Sequence, residues 1–396
     1  MGPRAVPAGP ACLDTYKKPD YDSPSFSSPA ATAARNSPAM AFPDWIMLDC
    51  YVFRDGPFPH DDDPTAAVGH NSRGDEVRVC FRLRAPPFQM GYLVSLRPDK
   101  AYKVFDYLLY RAGAEQPSLD LLAPLGGSFA ELQARLEADG LIRLTNQRLR
   151  KLKCLDIGVL CRDDEEFVVA ELQITRSESG PELHVLRSAT SDQWEVKRPL
   201  ITPVNDIALD LEQFLWDWDA DTVIPFGNYL CWVDYCLGIL FCDVFDENLQ
   251  LQYLEFPADG RACLYGYQTV GVTDGVMKFV APISDDGLVA ENFTPAVGFT
   301  IICWILRMDE MDKMMWEKET VLKSDLLWSL DLFKQRPHHE RRVQFPLISI
   351  DEPSVIYLVL RQNGNVEEAG YNYDETWLLA IDMSKKNLKM SFPYIK

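Results

Sequence analysis

The sequence predicts an all-β fold, a β-propeller-like array of about six blades of antiparallel meanders with short helical insertions. Three observations predict it. Residues 226–257 read as three strands joined by two tight turns, the unit recurs along the chain, and its clear copies each end in a proline: Pro199, Pro257 and Pro393. Proline cannot donate to a strand ladder, so it marks where pairing stops.

In chain order, residues 1–43 carry clustered Pro, Ala and Ser (PAGPA, SPSFSSPAATAARNSPA) without apolar periodicity, and are expected to be disordered. Asp14, Asp20 and Asp22 speak against a transit peptide, and Met40 is a candidate start for a shorter product. Residues 44–396 are expected to form a single domain. Its first strand, Trp45–Phe53, is expected to pair with the final repeat, because closure removes exposed sheet edges. Phe105–Arg111 and Ser118–Leu122, followed by Pro124, form a weak copy of the repeat. Ser128-x-x-Glu131 resembles a capping box and opens a helix lined by Phe129, Leu132 and Leu136.

A stronger copy follows at Glu166–Ile174, Glu182–Ser188 and Trp194–Arg198. The clearest copy joins Tyr229–Tyr235 and Ile239–Phe245, rich in aromatic and branched residues, through a link ending in Gly238. Its third strand, Leu249–Phe256, alternates Leu249, Leu251 and Tyr253 against Gln250 and Gln252, which predicts one buried face. Lys278–Ser284, Gly298–Leu306 and Met315–Val321 give another weaker copy, and Val355–Leu360, Thr376–Asp382 and Leu388–Phe392 give the last. Asn248-Leu249 follows Asp243 at the spacing with which Asn387-Leu388 follows Asp382. The copies recur at roughly 50–70 residues, long for a common blade.

Composition narrows the function. The chain has 396 residues, 47% of them hydrophobic and 11% aromatic, ample for a core. It has no apolar leader and no run of about 18 apolar residues, so neither secretion nor membrane spanning is expected. A cytoplasmic or nuclear setting would keep its ten cysteines reduced. A net charge of −20 argues against nucleic acid as a partner. Two basic clusters stand out locally. Arg143, Arg148, Arg150, Lys151 and Lys153 read as a solvated insertion or as a docking site for an acidic partner, with Arg148, Arg150, Lys151 and Lys153 the candidate binding residues. Arg336, His338, His339, Arg341 and Arg342 precede a strand starting at Phe345 and read the same way.

Catalytic motifs are missing. Cys231, Cys236 and Cys242 lack C-x-x-C spacing and partner histidines, His338-His339-Glu340 is not H-E-x-x-H, and Asp217, Asp219 and Asp221 lack the glycine and glutamate of a calcium loop. No metal and no cofactor are expected. The chain contains no G-x-S-x-G elbow, phosphate loop or dinucleotide fingerprint.

WIMLDCYVF, DYLLYRAGAEQPSLDLLAP, DIGVLCRDDEEFVVAELQI, DTVIPFGNYLCWVDYCLGILFCDVF and VQFPLISIDEPSVIYLVL, with ELHVLRS, WEVKRPLI and TWLLAIDM, resemble the grass-expanded plant family known as domain of unknown function 1618. The resemblance covers about residues 45 to 395 and brings no catalytic residues with it. It implies a likeness to the propeller domains beside F-boxes in plant ubiquitin-ligase adaptors. Residues 1–44 have neither the leucines nor the periodicity of an F-box, so an intact adaptor is not expected. The expected function is a non-catalytic, monomeric scaffold that binds protein or peptide. The alternative is a carboxylate-dependent hydrolase or lyase using Asp106, Asp234 and Asp351 in the propeller mouth.

Overall fold

The computed structural model describes residues 48–52, 65–71, 74, 76–81, 90–94, 108–111, 117–122, 155–162, 166–174, 180–188, 194–205, 209–257, 267–284, 298–308, 313–329, 341–362 and 376–393. Contacts divide the chain into Met1–Phe42 and Pro43–Lys396, and all described residues belong to the second unit. The disorder expected of residues 1–43 and the helix expected from Ser128 lie outside the described residues.

The described chain is mostly β. The first sheet holds β1 (Leu48–Val52), β2 (Ala67–His70), β3 (Glu76–Phe81) and β4 (Met90–Val94) in the order β1-β4-β3-β2. The second is a hairpin of β5 (Leu108–Arg111) and β6 (Ser118–Leu121). The third is a meander of β7 (Ile157–Cys161), β8 (Phe167–Ile174), β9 (Pro181–Arg187) and β10 (Glu195–Lys197). In the fourth, β12 (Thr222–Phe226), β13 (Tyr229–Asp234), β14 (Gly238–Asp243) and β15 (Leu251–Glu255) form a meander, and β11 (Ile201–Pro203) joins β15 in parallel. The fifth contains β16 (Thr269–Thr273), β17 (Val276–Ser284), β18 (Phe299–Met308) and β19 (Met314–Lys323). The sixth contains β20 (Arg341–Ile348), β21 (Val355–Gln362), β22 (Thr376–Asp382) and β23 (Asn387–Pro393). None of these sheets closes on itself. Two short helices occur among the described residues, α1 (Leu211–Asp217) and α2 (Ser324–Trp328).

Two expectations are corrected. The unit has four strands rather than three, because β7, β12, β16 and β20 each precede the strands that the repeat predicts. The N-terminal strand pairs in parallel with β4, Leu48 opposite Met90, and not with the final repeat. There it covers the ladder edge that β4 would otherwise leave open.

Packing places a core in each interval between consecutive sheets. Ala67, Val77 and Val79 meet Leu119 between the first and second, and Leu122 joins Phe167, Val169 and Leu186 between the second and third. Between the third and fourth, Val168, Ala170, Leu183 and Val185 face Leu230, Trp232, Leu240 and Cys242, with Phe214 of α1 filling in. The opposite face of the fourth sheet, Cys231, Val233, Ile239 and Phe241, packs on Met277, Phe279 and Trp304 of the fifth. The fifth in turn gives Val280, Ile301 and Cys303 to a core with Val343, Ile356, Leu358, Leu379 and Ile381 of the sixth. The clearest repeat is therefore buried on both faces rather than one, which is why β13 and β14 read as continuous apolar runs.

Gly238 has a different role from the one expected of it. It opens β14, and a side chain there would bring a Cβ to 2.3 Å from the Leu254 carbonyl oxygen. Absence of a side chain matters in the same way where first strands approach each other. A Cβ on Gly158 of β7 would stand 2.6 Å from Val223 of β12, and one on Gly271 of β16 would stand 3.3 Å from Ile348 of β20. The first strands β7, β12, β16 and β20 thus lie side by side, each at the edge of its own sheet.

Candidate functional site

A cavity of about 150 Å³ opens between the fifth and sixth sheets. Lys278, Cys303, Glu319 and Thr320 form its polar wall, and Ile348, Pro353, Ile356 and Met383 supply most of the other. The register explains the polar wall. Lys278 stands opposite Gly271, and Cys303 opposite Val280, so both point toward the sixth sheet with Val280. On β19 the pairing runs Trp304 with Lys318 and then Cys303 with Thr320, which leaves Glu319 as the extra residue of a β-bulge. Neighbouring side chains on a strand normally point to opposite faces. The bulge instead sends Glu319 and Thr320 to the same one.

Lys278 is held there by charge. Its ammonium lies 2.6 Å from a Glu319 carboxylate oxygen, with the lysine side chain 7% exposed and the glutamate 34%. The Cys303 thiol approaches the same oxygen at 3.5 Å. Burial, chiefly, pushes this thiol up to about 12, the Lys278 charge pulling against it and Glu319 pushing further. Cys303 therefore stays protonated and donates to Glu319; it is not a thiolate nucleophile.

The facing rim is fixed by Asp382. Its carboxylate accepts hydrogen bonds from the Ser384 N–H at 3.0 Å, the Lys385 N–H at 3.0 Å and the Ser384 hydroxyl at 2.6 Å. The Ser384 hydroxyl, first, and the Lys385 amide hold Asp382 down at about 2. Met383 N–H donates to the Ser354 carbonyl at 2.8 Å and so ties this turn to the loop between β20 and β21. The cavity has donors, acceptors and an apolar wall but no activated nucleophile.

Of the predicted site residues that the structure describes, none lines this cavity. Arg143, Arg148, Arg150, Lys151 and Lys153 lie outside the described residues, as do Arg336, His338, His339 and Asp106. Arg341 and Arg342 begin β20. Asp234 is 2% exposed and accepts from three backbone N–H groups, those of Asp219, Cys236 and Leu237, while Asp351 is exposed in the β20–β21 loop. Burial raises Asp234 to about 6 despite these bonds. Asp221 accepts from the Tyr235 N–H at 2.8 Å, so the alternating aspartates organise turns. Cys231 and Cys242 are buried on opposite faces of the fourth sheet and cannot act together. Among the described residues no group of three or more His, Cys, Asp and Glu is placed to hold a metal ion, and no helix is long and apolar enough to cross a membrane.

A second feature lies on the first strands. Val68 of β2, Val159 of β7 and Leu347 of β20 are exposed by 50%, 40% and 39%, and Pro225 of β12 is exposed beside them in chain order. These are the outward positions of strands whose alternate residues, such as Ala67 and Leu160, are buried.

The family model described as protein of unknown function (DUF1618) matches residues 232–357. Over this stretch, about a third of its length, the chain is similar to that family. No curated protein matches the chain. The DUF1618 match runs from Trp232 in β13 to Tyr357 in β21, so it contains the whole polar wall of the cavity and the Ile348–Ile356 side, and stops before Met383 and Ser384. Sequence reasoning missed Lys278 and Glu319. The signal was present as a lone lysine inside the apolar run VMKFVAPIS.

Proposed function

We propose that this protein is a non-catalytic interaction scaffold of β-propeller type, whose consecutive sheets are blades and whose first strands line a docking face for a protein or peptide. The observation that carries the reading is the row of first strands. The first strands β7, β12, β16 and β20 lie edge beside edge and expose Val159, Pro225 and Leu347, so an incoming chain meets apolar side chains next to unpaired strand edges. Support for the blade arrangement comes from the cores, one in each of the intervals between consecutive sheets. Asp234, a carboxylate on which an enzymatic reading would rely, is occupied by three backbone amides and enclosed.

The test is quantitative affinity purification with the full chain and with Val159→Asp and Leu347→Asp variants as baits. Exposed sites tolerate these charges without unfolding, which circular dichroism checks. A partner recovered by the parent chain and depleted at least about tenfold by either variant supports the reading, since one buried charge is worth that much. Recovery of chaperones alone, or equal recovery by all three baits, defeats it.

A further inference from the structure

The cavity between the fifth and sixth sheets has the chemistry of a receptor for one kind of small group. Lys278 has three ammonium N–H donors. Among the described residues its hydrogen bond is to Glu319, through one oxygen that also takes the Cys303 thiol. That leaves Lys278 further N–H donors and Glu319 a second carboxylate oxygen, both residues lining a space whose other wall is Ile348, Ile356 and Met383. The bulge at Glu319 is what assembles this wall, since without it Glu319 and Thr320 would point to opposite faces.

Charge selects among ligands. Lys278 and Glu319 already neutralise each other in a poorly solvated site. A carboxylate ligand would leave an uncompensated negative charge there, in a chain of net charge −20, and an amine would leave a positive one. A neutral group that both accepts and donates matches both partners: its carbonyl oxygen takes a Lys278 N–H and its N–H₂ gives to the free Glu319 oxygen. A cavity near 150 Å³ holds a body of about six heavy atoms.

We infer that this cavity binds a primary carboxamide carried on a short branched apolar body, as a free small molecule or at the end of a side chain. The proposal stands independently of the docking face on the first strands.

Isobutyramide and its isostere isobutyrate are the probes, and the full chain with labelled Ile and Met methyl groups is the receptor. Isobutyramide should shift the Ile348, Ile356 and Met383 methyl signals saturably, with a Kd on the order of millimolar for so small a ligand, and isobutyrate should bind about tenfold more weakly. Ser354→Phe, which fills the cavity from the loop, should abolish the shifts. Glu319→Gln leaves Lys278 uncompensated and should invert the preference toward isobutyrate. If Glu319→Gln does not fold, the contrast between the two probes on the parent chain and the loss in Ser354→Phe still decide. No shift at these methyls at about ten times that concentration, equal binding of both probes, or shifts that survive Ser354→Phe would overturn the inference.

Discussion

Asp234 and Asp382 do the same backbone work in opposite electrostatic settings. Both accept hydrogen bonds from the turn that follows them, yet burial raises Asp234 from 3.8 to about 6 while hydrogen bonding lowers Asp382 from 3.8 to about 2. For Asp234 the folded state favours the protonated form. Its contribution to stability is full below about pH 4 and is lost as pH rises through about 6. Relative to Asp234→Asn, the parent chain should therefore lose about 2 to 3 kcal/mol between those limits, read from urea unfolding of both proteins across that range. Asp382 has the opposite sign. Its stabilisation is present above about pH 4 and lost as pH falls toward 2, so the deficit of Asp382→Asn at neutral pH should close in acid. Lys278 and Glu319 give a third expectation. Removing one partner, as in Glu319→Gln, should destabilise by about 2 kcal/mol, less than a fully buried pair because Glu319 keeps some solvent; Lys278→Met with Glu319→Leu should restore most of it. A thermal unfolding cycle of Lys278→Met, Glu319→Leu and their double variant measures the coupling.

At the scale of elements, the missing side chains of the first strands set how closely the sheets approach. Gly69→Ala should be the most damaging replacement, because its Cβ would meet the Leu119 carbonyl oxygen of β6 at 2.5 Å and backbone cannot step aside. Gly158→Ala comes next, against Val223 and Leu230 side chains, and Gly271→Ala should cost least, with Ile348 at 3.3 Å. Overpacking of this kind costs about 1–3 kcal/mol, and the order of melting temperatures tests the ranking. The same elements show what the sequence disclosed. The middle and outer strands β8–β10, β13–β15 and β21–β23 were legible because aromatic and branched residues fill them. The first strands were not recognised as part of the repeat. Proline in β12 and glycine in β7 and β16 weaken the strand pattern, and the reason for the glycines, the next sheet's first strand, is distant in sequence. The cavity was illegible for a similar reason: a single-residue bulge in β19 decides it.

For the whole molecule, the all-β reading follows from a recurring strand unit and the prolines that close it, while the pairing of β1 with β4 depends on three-dimensional proximity. Packing then links the sheets through shared cores. Trp232 shows the coupling at one point: fully buried in the fourth sheet, it donates its indole N–H at 2.6 Å to the Asp156 carbonyl just before β7. Trp232→Phe should lower stability by about 1–3 kcal/mol through the orphaned carbonyl, measured by denaturant midpoint. Among the described residues the second to fifth sheets each contribute to two of these cores, and the first and sixth to one. Local opening is easiest where the fewest buried residues are shared, so a sheet with one such core yields before a sheet with two. Deuterium should accordingly enter β2, β3, β22 and β23 first and the amides of β13 and β14 last.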